Sequence, residues 1–129
     1  MSTERKDWQE SGNAPMTRKQ QKLLNAACGD LSDMVRWHGV ILSKDDWRHC
    51  IAATILGDRL IPGINTGEGH PGLIRLPRSS LEFTKSQATE AIRMAFDIGD
   101  YPSDQGLGID PIRWGPTVCL ARFVTDEPL

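Results

Sequence analysis

Residues 17–39 read TRKQQKLLNAACGDLSDMVRWHG. Leu24, Ala27, Cys28, Leu31, Met34, Val35 and His38 recur at three- and four-residue steps, the spacing of one helical face. Thr17 is placed to cap the start, with Gln20 three residues on as in a capping box. Gly39 is a natural stop at the far end. Gly29, inside the helix, costs about 1 kcal/mol relative to Ala but permits close approach of a neighbour. This stretch makes the fold helical.

Val40, Ile41 and Leu42 form a short extended link. Ser43 then opens a second helix, with Asp46 at the capping-box position and acidic residues in the first turn, where the helix dipole favours them. Trp47, Cys50, Ile51, Thr54 and Ile55 form its expected apolar stripe, and it stops at Gly57 and Asp58. Two β-type runs, 59–61 and 73–76, flank a turn-rich stretch that predicts a two-stranded ribbon with a flexible tip. A third helix follows Thr84, whose capping-box partner is Gln87, with Phe83 and Ala88 at staple positions. Ala88, Ala91, Ile92, Ala95 and Phe96 face inward and Gly99 ends it.

Beyond Tyr101, four prolines (Pro102, Pro111, Pro116, Pro128) preclude a long helix, and residues 118–124 read as a terminal strand or a docking segment. The expected fold is therefore mainly α. It has a three-helix core, a short β-ribbon between helices 2 and 3, and an irregular C-terminal tail. The expected organisation is a mobile leader (1–15) whose Trp8 is available for docking, a helical domain (16–107) and a Pro-rich tail (108–129).

The 129 residues suit one domain, and 39% hydrophobic with 25% charged residues excludes disorder throughout. A formal charge of −2 gives no global sign of nucleic-acid binding, so such binding requires a local basic face. Cys28, Cys50 and Cys119 are odd in number and widely spaced, and the chain's start is polar. Free thiols in a reducing cytoplasm are expected, with no membrane span, since no apolar run approaches the ~18 residues required.

The histidines (His38, His49, His70) and cysteines show no metal-ligand spacing, so neither metal nor cofactor is expected. Ser79 and Ser80 do not form a nucleophile elbow, and residues 67–69 lack the lysine and helix of a phosphate loop. Asp30 with Asp33, and Asp45 with Asp46, are explained by helix-surface and capping duties more simply than as nuclease carboxylates. No catalytic residue is assigned and the chain is read as a non-enzyme. Its basic residues are more informative. Arg18, Lys19 and Lys22 open the first helix, while Arg75 and Arg78 surround the ribbon's second strand, followed by the hydroxyls of Ser79 and Ser80. Arginine grips phosphate bidentately and serine adds neutral contacts. Exposed aromatic rings would provide stacking platforms for single strands. Trp37 and Trp47, flanking the Gly39 turn, are instead expected to pin two helices together.

Residues 22–39, ending in Trp37-His38-Gly39, and residues 42–53, with Trp47 near the start of the second helix, resemble the NinB (Orf) family of lambda-like phages. Residues 59–62 look like that family's exit from the second helix. Residues 78–81 are similar to its Arg-Ser-Thr-Ser segment, and the helix from Lys85 to its closing one. The resemblance covers about residues 16–107. It implies a homodimeric recombination mediator that binds single-stranded or gapped DNA without sequence preference. Such a protein assists recombinase loading past single-strand-binding protein, has no established catalytic residues, and works in the cytoplasm of a bacterial host. On this reading Lys19, Lys22, Arg75, Arg78 and Ser79 are the expected DNA contacts. The chain departs from the family pattern at its start, where about fifteen polar residues stand in place of a β-rich domain. The family's Asp-Gln-Asn motif is also only partly met in residues 17–22. Two rival readings are a non-catalytic protein–protein adaptor, favoured by the acidic balance, and a metal-dependent nuclease using the clustered aspartates.

Overall fold

The computed structural model describes residues 14–124 apart from 58, 70, 71 and 77, with side chains described as far as 122. The elements are α1 (Arg18–Met34), β1 (Arg36–Trp37), β2 (Val40–Ile41), α2 (Lys44–Leu56), β3 (Arg59–Pro62), β4 (Leu73–Leu76), α3 (Lys85–Asp100) and α4 (Pro116–Val124). Short 3-10 turns occupy Ser80–Glu82 and Pro102–Gln105. The fold is mainly α with two small antiparallel ribbons.

Each of the three main helices begins where its capping box predicts. The Thr17 hydroxyl accepts from the Gln20 N–H at 3.0 Å, and the Gln20 side chain accepts in return from the Thr17 N–H at 3.0 Å. Ser43 with Asp46 and Thr84 with Gln87 repeat the reciprocal pair. Two otherwise orphaned backbone donors are thereby satisfied at each helix start.

The far end of α1 differs from expectation. The helix stops at Met34, Val35 is extended, and Arg36 and Trp37 pair with Ile41 and Val40. His38 and Gly39 form the two-residue turn, both with positive φ (49° and 86°). Two left-handed residues in succession match the twist of a tight hairpin, and Gly adopts that conformation without steric cost. Gly39 is thus a hairpin residue rather than a helix stop, and the extended link is the hairpin's second strand.

Leu23, Leu24, Ala27, Cys28 and Leu31 of α1 meet Ala88, Ala91, Ile92 and Ala95 of α3, with Trp47, Ile51 and Ala52 of α2 closing the core. The α2 stripe is narrower than its sequence suggests. Cys50 and Thr54 are exposed, and the Thr54 hydroxyl bonds back to the Cys50 carbonyl at 2.8 Å. Trp37 packs edge-on against the fully buried Trp47, with centroids 5.5 Å apart, but Trp37 stands in β1, so the rings pin the hairpin to α2 rather than two helices to each other.

Gln20 joins α1 to α3: its amide donates to the Lys85 carbonyl and the Thr89 hydroxyl, both at 3.1 Å. Pro15 bridges Thr84 just upstream. At the opposite end, Asp30 of α1 and Gly99 of α3 both meet residues 112–115. The two helices therefore run parallel, with their N-termini side by side.

The tail is more ordered than its prolines suggest. Residues 116–124 form α4 with Pro116 as its first residue, where a missing N–H is harmless. Val118 is fully buried in the core, so of the two readings left open for residues 118–124 the segment docks, as a helix rather than a strand. The Trp114 indole N–H donates to Asp100 at 2.7 Å, and Asp30 accepts from the Gly115 N–H at 2.9 Å, an acidic group at the start of α4. The last five residues of the tail lie outside the described residues, as do the leader to residue 13 with Trp8, and His70.

The ribbon lies between α2 and α3 as expected, pairing Arg59 with Leu76 through Pro62 with Leu73. The Gly63 N–H adds a rung to the Gly72 carbonyl at 2.7 Å. Leu60 and Leu73 are exposed, and Ile64 at the tip is 79% exposed. Among the described residues, no helix is long and apolar enough to cross a membrane.

Candidate nucleic-acid interface

Parallel packing of α1 and α3 puts two positive dipole ends at one end of the molecule. Neither helix has an acidic residue in its first turn. Arg18 and Lys19 lie in the first turn of α1, Lys22 follows one turn on, and Lys85 opens α3. Arg18, Lys19 and Lys22 are exposed. A cation at a helix N-terminus opposes the dipole, costing about 0.3–1 kcal/mol at low ionic strength. Bound anions would reverse the sign of that term.

Helix α2 contributes the opposite pole to the same end, and Arg78 covers it. One guanidinium nitrogen reaches the Leu56 and Gly57 carbonyls at 3.3 and 3.5 Å, and the other pairs with Glu82 at 3.1 Å. A fixed cation at the C-terminus of α2 satisfies its last carbonyls and offsets its negative pole. Arg78 is thus an anchor with a partly buried side chain. Its contribution to an anion-binding surface is its charge more than a free fork of donors.

Ser79 is also structurally engaged. Its hydroxyl accepts from the Leu81 N–H at 3.1 Å, and its own N–H donates to Glu82 at 3.0 Å. This is a fourth capping box, legible as Ser79 followed three residues later by Glu82 but overlooked in the sequence. The Ser79 N–H and then the Arg78 guanidinium hold the Glu82 carboxyl below the usual carboxylate range. Arg75 is exposed on β4 opposite Leu60. The structure thus groups Lys19, Lys22, Arg78 and Ser79 around one end, with Arg75 on the ribbon rooted there. Lys85 was missed, although its place directly after the Thr84 cap marks it as a first-turn residue.

The aspartates have other duties. Asp30 holds Gly115, Asp45 pairs with Arg48, and Asp46 caps α2. Among the described residues no group of three or more His, Cys, Asp or Glu side chains is arranged to hold a metal ion. Of the aromatic residues, Trp47 is buried, Trp37 and Trp114 are packed on other rings, and Tyr101 is exposed.

The NinB protein family model matches residues 12–100. The chain belongs to the NinB family. A solved NinB structure from structural genomics shares the fold at a TM-score of 0.61 and 22% identity, with 81% of this chain and 71% of that chain covered. No curated protein matches the chain significantly. Membership in the NinB family indicates a role connected with phage recombination. The family match spans α1, the Trp37 hairpin, α2, the ribbon and α3, and so includes the whole basic end.

Proposed function

We propose that this NinB-family chain is a non-catalytic recombination mediator that binds single-stranded or gapped DNA without sequence preference. The observation that carries this reading is the side-by-side placement of the α1 and α3 N-termini, with basic and no acidic residues in their first turns. Such an end offers dipoles and cations to a phosphate backbone, contacts that carry no sequence information. Lys19, Lys22 and Lys85 contact phosphates, Arg75 extends the contact along the ribbon, and Arg78 with Ser79 sets the surface beneath them. The mediator works as a homodimer with single-strand-binding protein and a recombinase as protein partners, in the host cytoplasm.

Fluorescence anisotropy of a labelled single-stranded oligonucleotide, at several salt concentrations and with duplex as control, tests this directly. Saturable binding that favours single strands and weakens steeply with salt supports it. No binding at low salt removes direct DNA contact. A second reading, a protein–protein adaptor, draws on the exposed apolar face of the ribbon, Leu60 and Leu73 with Ile64 at the tip. Association with single-strand-binding protein in the absence of DNA binding selects it.

A further inference from the structure

Beside the basic end, a hollow of about 140 Å³ opens between α1, α2 and the 3-10 turn. It is lined by Gln21, Arg48, His49, Ser79, Ser80 and Leu81. Five of these six side chains carry hydrogen-bond donors, and none is a carboxylate. Ser80 is 8% exposed, a buried hydroxyl residue in the floor of the hollow. The Ser79 oxygen already accepts from the Leu81 N–H, which leaves its O–H hydrogen to donate. The nearby acids are occupied. Asp45 pairs with Arg48, and Glu82 is held by Arg78 and the Ser79 N–H. Arg48 is braced on its other side by Asn25 at 2.7 Å, so its guanidinium is held at the rim rather than free in solution.

We propose that this hollow is a seat for one phosphate group, with Arg48 supplying charge and His49, Ser79, Ser80 and Gln21 supplying further hydrogen-bond donors. A small concave site lined by donors and free of carboxylates suits a tetrahedral oxyanion and disfavours a cation or an apolar group. Preset donors spend little ordering entropy on contact. The proposal rests on the DNA reading for the source of the phosphate, a strand held on the adjoining basic end. It adds a contact that the helix termini do not provide. A phosphodiester within the strand and a terminal phosphate both present this chemistry.

The test measures strand binding by the full chain across a salt series. It compares Arg48→Gln and His49→Ala with the unaltered protein, on 5′-phosphorylated and unphosphorylated oligonucleotides. His49 is exposed, so its replacement keeps the fold intact even if loss of Arg48 loosens α2. In parallel, inorganic phosphate is titrated while the His49 ring resonances are followed by NMR. The seat predicts saturable shifts of those resonances, a loss of strand affinity on the order of tenfold for Arg48→Gln, and a salt slope shallower by about 0.7. Equal losses on both oligonucleotides assign the seat to an internal phosphodiester; losses confined to the phosphorylated one assign it to a strand end. Normal strand binding by both variants, with no response of His49 to phosphate, overturns the seat and leaves the DNA reading standing. Saturable phosphate binding by a protein that binds no DNA supports the seat while removing the DNA reading. Absence of both responses removes both.

Discussion

The Trp114 ring lies directly against the α-carbon of Gly99. A methyl group built on that carbon would stand 2.3 Å from Cζ2 and 2.7 Å from Cη2 of the indole. Glycine here is required by packing, since Gly99 is helical and its backbone imposes no special torsion. The contact fixes residues 112–118 to the body, because the Trp114 N–H then reaches Asp100 and Val118 enters the core. Phe96 completes the seat, edge-on to Trp114 and beneath the Arg122 guanidinium, 4.7 Å from its centroid.

Gly99→Ala is therefore expected to destabilise the protein by about 1–3 kcal/mol, through overpacking against a ring that cannot shift freely. Thermal unfolding and intrinsic tryptophan fluorescence are the readouts. The loss should be much smaller in a Trp114→Ala background, giving a coupling term in a double-mutant cycle. Equal losses in the two backgrounds would show that the contact is not the cause.

Lys19 and Arg78 separate by measurement. Lys19→Ala should weaken single-strand binding and make the salt slope shallower by about 0.7, while leaving the melting temperature unchanged or slightly raised. Arg78→Ala should lower the melting temperature, because the Leu56 and Gly57 carbonyls lose their partner. A destabilised Lys19 variant, or an Arg78 variant of normal stability, would contradict these assignments.

Glu82 gives a pH test of the Arg78 anchor. Its carboxyl is held below its ordinary value of 4.5 by the Ser79 N–H and Arg78. The folded state thus releases this proton more readily than the unfolded state. Its stabilisation is present above about 4.5 and is lost as pH falls through the lower folded-state value. Glu82→Gln should flatten that part of the acid-unfolding profile. The carboxyl is exposed, so the difference should be small and is best read in urea titrations at several pH values.

Cys28 gives the converse at alkaline pH. Burial pushes its thiol from 9.0 up to about 12, against the smaller lowering influences of Arg48 and Lys44. The folded chain keeps this proton where the unfolded chain gives it up. Stability is therefore fully present below about 9 and declines as pH rises toward 12. Cys28→Ala should remove this slope, as measured by denaturant titration between those limits. At pH 8 a thiol reagent should modify exposed Cys50 in the native state well before Cys28.

Much of the architecture was written locally. Thr17 with Gln20, Ser43 with Asp46 and Thr84 with Gln87 specify helix starts through contacts three residues apart. The alternating turn residues between Pro62 and Gly72 specify a ribbon in the same way. The end of α1 was misread because Val35 and His38 fall in helical register by spacing alone. Pairing across the hairpin is not a property of spacing, and it turned those residues out of the helix. In α2, Cys50 and Thr54 have the size and spacing of core residues, yet no neighbour covers them.

The basic residues of the candidate site were visible one by one, whereas their relationship was not. Lys19 and Lys22 are neighbours in the chain, but Lys85 joins them only because Gln20 reaches across to the Lys85 carbonyl and Thr89. Arg78 looked like a free phosphate ligand until its approach to Leu56 and Gly57 showed it anchored to the C-terminus of α2. The hollow brings Gln21, Arg48 and Ser80 together from three separate elements, and no local pattern marks it.

By itself the sequence determined the helical character, the three capped starts, the ribbon and the family. These rest on short-range hydrogen bonds, periodic apolar burial and a contiguous motif. Only the tertiary structure decided that α1 and α3 run parallel, that the proline-rich tail contains a docked helix, and that two positive poles share one end. Those features depend on contacts between residues tens of positions apart, whose geometry is set when the core closes.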